Sequence, residues 1–131
     1  MDISENISTD EWECHGVGCC GHSCPMPDPK LLAAFEDLRT RTGGVPITIT
    51  SGFRCNTHNA ATPGAALVSQ HTFARALDLV HPTLTNEQLG AIAELIPAFA
   101  QGGIGVEGCV VNGRKVTWLH VDIGPQRRFT K

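Results

Sequence analysis

Between Ser51 and Asp78 the chain reads SGFRCNTHNAATPGAALVSQHTFARALD. Arg54 closely follows an apolar run, a polar stretch punctuated by Gly and Pro comes next, and His71 and Asp78 then stand seven positions apart. His120 follows more than forty residues later, in WLHVDIG. Two histidines and an aspartate around an open cleft suit a catalytic zinc ion, which takes neutral imidazole nitrogen and carboxylate oxygen and keeps one position for water. Singly, each residue is weak evidence, since a lone histidine is more often a hydrogen-bonded structural residue. Their neighbours add weight. Asp78 lies between Leu77 and Leu79, and His120 between Leu119 and Val121. A carboxylate in an apolar, β-like run is seldom buried without a partner or a metal. Strand alternation sets His120 and Asp122 on one face and Leu119, Val121 and Ile123 on the other, as the floor of a site requires.

The elements that must position these groups follow from periodicity and punctuation. Asp28 and Pro29 predict a helix start, with Asp capping free amides and Pro at the first helical position. Leu31, Phe35 and Leu38, with Leu32 and Ala34 beside them, mark its buried face, and Gly43 and Gly44 its end. Val45 to Thr50, VPITIT, predicts a strand broken by Ser51 and Gly52, which delivers Arg54 to a cleft. Cys55 to Ser69 reads as loop and Arg75 to Val80 as a short strand carrying Asp78. Thr85 to Gln101 reads as a second helix, opened by a Thr85–Gln88 capping box, with Leu89, Ile92, Ile96 and Phe99 as its apolar face. Candidate strands run over residues 104–106, 109–111 and 116–123, with Asn112-Gly113 as a hairpin turn. Helices in separate blocks against hairpin-linked strands predict an α+β fold with an antiparallel sheet.

At 131 residues, with 41% hydrophobic and 18% charged residues, the chain is one soluble domain, residues 1–131. Its net charge of −3 and lack of a basic stripe exclude nucleic acid as an expected partner. Arg127 and Arg128 read as a frayed, solvated tail. No run reaches the ~20 apolar residues of a membrane span. The acidic, polar start resembles neither a secretory signal nor a transit peptide, so the expectation is phage-type release or export by another route, or otherwise action in the cytoplasm where the protein is made. A monomer is expected.

Residues 1–13 show no periodicity and read as surface. CHGVGCCGHSC follows, part of a Cys-rich segment, 1–27, expected to pack on the domain. Its glycines make it a loop. Cys14, Cys19 or Cys20, Cys24 and Cys55 could hold a second, structural metal ion, with His15 or His22 as substitutes. Disulfides, including one from this loop to Cys55, are the rival, and unligated thiols the simplest alternative. A cross-link of either kind is favoured, because so few apolar residues leave the loop little else to hold it.

Three stretches in order, SGFRCNTHN, SQHTFARALDLV and WLHVDIGPQRRF, resemble the zinc D-Ala-D-Ala carboxypeptidases and murein endopeptidases (M15-like) that cleave peptidoglycan stem peptides. The murein endopeptidases share the H-V-D-x-G-x-x-R ending. The resemblance runs from the helix near Pro29 through Phe129. It implies His71, Asp78 and His120 as zinc ligands and Arg54 as the residue that binds a peptide carbonyl or carboxylate and stabilises the oxyanion. It also implies a small antiparallel sheet flanked by helices, shared with the hedgehog signalling domain. Ser69 and Gln70 are expected to bind substrate or, with Asp122, to orient the ligands. Relatives keep a Glu three residues, or a His two residues, before the last ligand; here Thr117 and Trp118 stand there. Asp122 is therefore the expected general base, or else a group that holds a ligand, with Glu107 and His81 behind it. The function implied is a zinc peptidase acting on cell wall. A non-catalytic zinc-containing wall-binding module and a zinc D-Ala-D-Ala dipeptidase are the alternatives.

Overall fold

The computed structural model describes residues 2–4, 6–15, 24–62 and 69–130. A short hairpin, β1 (Asp2–Ser4) and β2 (Ile7–Ser8), leads into helix α1 (Thr9–Trp12). Helix α2 (Pro29–Arg41) follows, then β3 (Thr48–Ser51), α3 (Asn56–Ala61), a 3-10 turn (Gln70–Phe73) and β4 (Ala76–Val80). Helices α4 (Asn86–Ala93) and α5 (Pro97–Ala100) precede β5 (Gly103–Val111), β6 (Arg114–Asp122) and β7 (Arg127–Thr130). The last five strands form one sheet in the order β3-β4-β6-β5-β7. The fold is α+β, as expected, with one addition: β7 pairs parallel to β5, so the sheet is mixed.

Local chemistry explains the elements that were predicted. Asp28 accepts the Lys30 N–H at the start of α2, and Thr85 and Gln88 close a reciprocal capping box on α4. Asn112 and Gly113, at φ 51° and 76°, make the two-residue turn between β5 and β6. Both positive φ values match the twist of a tight hairpin.

Five expectations are corrected. The helix read over Thr85 to Gln101 is two, because Ile96 turns extended and Pro97 starts α5 anew. The stretch from Cys55 holds helix α3, which Cys55 itself caps through its sulfur. Arg127 and Arg128 are not a frayed tail: β7 aligns Gly103 with Arg127 and Gly105 with Phe129. Residues 1–13 are not merely surface, since Ile7 and Trp12 are each 1% exposed. The strand read from Val45 begins only at Thr48.

One face of the sheet carries the core. Leu77, Leu79, Leu119, Val121 and Ile104 meet Leu31, Phe35 and Leu38 of α2, Leu89 and Ala93 of α4, and Phe99 of α5. Trp12 joins the same core, and its indole N–H donates to the Pro25 carbonyl at 2.8 Å. The Trp12 carbonyl accepts the Phe53 N–H at 2.7 Å, which ties α1 to the chain entering the site. Trp12→Ala should therefore destabilise the protein by about 3–5 kcal/mol, the range for deleting a buried aromatic. Urea unfolding checks this. A change within about 0.5 kcal/mol would return the segment to the surface.

Candidate metal centre

The pairing of β4 with β6 sets Asp78 directly across from His120, and Ala76 across from Asp122. With Leu77, Leu79, Leu119 and Val121 committed to the core, the intervening side chains face the other way. His71 arrives from the 3-10 turn, whose N–H at His71 is capped by the Ser69 hydroxyl at 3.2 Å. Asp78 Oδ1 then lies 3.1 Å from both His71 Nε2 and His120 Nδ1. One donor atom from each of the three residues falls within 4.8 Å of the others, and all three side chains are buried.

The far side of each ring fixes its tautomer. His71 Nδ1 lies 2.7 Å from the Gly52 carbonyl oxygen, which can only accept, so Nδ1 carries a proton. His120 Nε2 lies 2.6 Å from Asp122 Oδ2 and is a donor for the same reason. A neutral ring on either side therefore points a bare lone pair at the Asp78 carboxylate. Such a cluster is repulsive unless positive charge stands within it, either as second ring protons or as a divalent cation. Carboxylate and imidazole donors whose outer nitrogens are held by a carbonyl and a carboxylate are what a bound metal ion requires. The residues fit the metal that their types predict.

Asp122 is wholly buried behind His120. Its Oδ1 accepts the N–H groups of Gly103 and Gly124, each at 2.9 Å, and Arg127 donates to Oδ2 at 3.2 Å. A Cβ on Gly103 would sit 2.2 Å from that carboxylate, and one on Gly105 would sit 2.4 Å from the Phe129 ring. These glycines let Asp122 and Phe129 back the His120 ring, whose centroid lies 5.3 Å from that of Phe129. Arg127 was missed by sequence reasoning, although its signal was the arginine closing the H-V-D-x-G-x-x-R ending.

Glu107 occupies the opposite side of His120. Its Oε2 is 4.0 Å from Nδ1, the nitrogen that faces Asp78, and it accepts the Trp118 indole N–H at 3.0 Å. Thr117 is occupied elsewhere, accepting from the Asn86 amide at 3.0 Å. Arg54 is 6% exposed, with Nη1 donating to Asn59 at 3.0 Å and Nη2 3.6 Å from Asp78 Oδ2. Asn59 had no sequence signal apart from its place in the helix that was read as loop. The Gln70 side chain packs against Gly124, its Oε1 buried without a protein partner. His81 Nδ1 accepts the N–H groups of Thr83 and Leu84 in the turn after β4. Arg54 and Asp78 line a cavity of about 330 Å³ with Thr50, Val80, Val116 and Trp118. A larger cavity, about 470 Å³, lies between α4 and the β5–β7 edge, where none of the three donors reaches. Among the Cys-rich residues, Cys19, Cys20 and His22 lie outside the described residues, and His15 is exposed with its Nε2 3.0 Å from the Asp10 carbonyl.

Charges in the metal-free site are strongly coupled. Burial pulls His120 down, but hydrogen bonds to Asp122 and Asp78 outweigh it and raise its pKa to about 9. Burial pushes Asp78 up, yet the charge of His71 and hydrogen bonds from both histidines hold it well below the usual carboxylate range. Asp122, raised by burial, is brought to about 2 by His120, Gly124 and Arg127. Because the His120 value is raised above that of an unfolded histidine (~6.5), its stabilising effect is full below that value and is lost as pH rises through about 9. The melting temperature of the metal-free protein should fall between pH 6.5 and 9. Metal uptake at pH 7 should expel close to one proton, measurable by calorimetry in buffers of different ionisation heat.

The Peptidase M15 family profile matches residues 5–122, a span that includes every donor described above as well as Arg54 and Glu107. No curated protein matches the chain significantly. Since the match covers nearly the whole sequence, the chain belongs to the Peptidase M15 family and is a metallopeptidase.

Proposed function

We propose that this metallopeptidase uses zinc and hydrolyses an amide bond in peptidoglycan stem peptides. The observation that carries the reading is the convergence of His71, Asp78 and His120 beside Arg54 at the floor of the cleft. Two imidazoles and one carboxylate leave a zinc ion with net positive charge, and such an ion, when bound, makes water acidic and polarises a carbonyl.

The chain's own groups divide the remaining work. Glu107 is placed to take the proton of the attacking water and return it to the leaving amine, because its carboxylate adjoins the Nδ1 side of His120 and Trp118 holds it there. In this reading the tryptophan, standing two residues before the last ligand, supports a base contributed by the neighbouring strand. Asp122 is assigned the other role open to it, orienting the His120 ring through Nε2. Arg54, anchored by Asn59, offers guanidinium donors to the oxygen that gains negative charge, or to a terminal carboxylate. Val80, Val116 and Trp118 supply apolar wall beside it.

Digestion of purified peptidoglycan, followed by mass spectrometry of the muropeptides, tests the substrate. New amine and carboxylate ends within stem peptides are expected. Unchanged wall together with cleavage of free D-Ala-D-Ala would make the protein a dipeptidase, and no turnover on either would make it a binding module. Glu107→Gln should keep its metal and lose about 10²–10⁴-fold in kcat. Asp122→Asn should instead weaken metal affinity about 10–100-fold, with activity partly restored by excess zinc. The reverse pattern would return the base to Asp122.

A further inference from the structure

A second group of metal-binding side chains lies on the rim of the same cleft. Cys14 Sγ is 3.7 Å from Cys55 Sγ and 3.1 Å from His58 Nδ1. Cys55 caps α3 from extended backbone, its sulfur accepting the N–H of His58, the third residue of that helix. All three are half-buried. His58 and His15 line the cavity with Arg54 and Asp78.

The sulfur–sulfur distance suits a shared metal ion. At 3.7 Å the two sulfurs face each other without being bonded. Two thiolates on a tetrahedral zinc at ~2.3 Å span an edge of about 3.8 Å, close to what is found. The matching sulfur–nitrogen edge is about 3.5 Å, so the His58 ring would draw back from Cys14 by a few tenths of an ångström and swing toward Cys55, because the three donor atoms do not all lie within 4.8 Å of one another. Backbone amides already serve both sulfurs: the Cys55 N–H donates to Cys14 Sγ at 3.5 Å, and the His58 N–H donates to Cys55 Sγ at 3.4 Å. Hydrogen bonds of this kind hold metal ligands in place.

We propose that Cys14, Cys55 and His58 form a second, structural zinc site. Its donor set, two thiolates and an imidazole, is softer than the two imidazoles and carboxylate at the cleft floor. The fourth position falls to a further donor or to water. The ion would join the segment after α1 to the start of α3. Arg54 precedes Cys55, and Asn59, which holds Arg54, follows His58, so the site would fix both ends of the arginine's anchorage. The assignment stands independently of the substrate proposed above.

Metal-free, reduced protein titrated with cobalt(II) tests it. Two equivalents should bind, one of them with thiolate-to-cobalt charge-transfer absorption, which two imidazoles and a carboxylate cannot produce. His71→Ala should bind one equivalent and keep the band. His58→Gln and Cys55→Ser should bind one equivalent and lose it, with native mass spectrometry of the zinc forms giving the same counts. Should the cysteine variant fail to fold, the wild-type and His71→Ala spectra still decide. A single equivalent without the band in wild type, an undiminished band in His58→Gln, or a Cys14–Cys55 disulfide in peptide maps of the purified protein would each overturn the proposal.

Discussion

The centre depends on the register between β4 and β6, which sets Asp78 opposite His120 and Leu79 opposite Leu119. Side chains alternate across a strand, so a slip of one residue would turn His120 into the core and a leucine toward the cleft. The apolar residues flanking each polar one guard against this. Leu77, Leu79, Leu119 and Val121 are fully buried, and their burial holds the two ligands in line. Core packing and metal binding are thus not separate requirements here. The same alternation meets both, and the third ligand needs only a capped turn to join them.

Support for the ligands spreads sideways along the sheet. Asp122 reaches back to His120 along its own strand, while Arg127 and Phe129 come from β7, across β5. Two glycines in β5 leave room for the carboxylate and the ring above them. Arg127 also lies over the Phe129 ring, 4.9 Å from its centroid, which links the two supports. Glu107, on the adjacent strand β5, is held by an indole on β6. First ligands and their supports therefore occupy adjacent rows of one rigid surface, the kind of placement that keeps a site's geometry fixed.

What could be read in the sequence was whatever repeats or caps. The buried face of α2, its Asp28 cap, the Thr85–Gln88 capping box, the Asn112-Gly113 turn and the polar residues at alternate positions of β6 all obey local rules, and the structure has them. Helix α3 was hidden because NTHNAA has no apolar periodicity and starts from a cysteine cap. The break before Pro97 was masked by apolar spacing that continues through it. Glu107 and Arg127 owe their positions to pairing between strands, which no local window contains. The acidic start gave no hint of burial because Ile7 and Trp12, which are buried, stand singly among polar residues.

The β5–β6 hairpin carries a final consequence. Its inner half supplies His120, Asp122, Glu107 and Trp118, whereas its outer half ends in the Asn112-Gly113 turn with Val110 and Val116 largely open to solvent. Val116 nevertheless forms part of the cleft wall. The chemistry and the surface that screens what enters are therefore two ends of one ribbon, separated along its length. Changing Val116 would reshape the cleft wall while leaving the ligand rows in register.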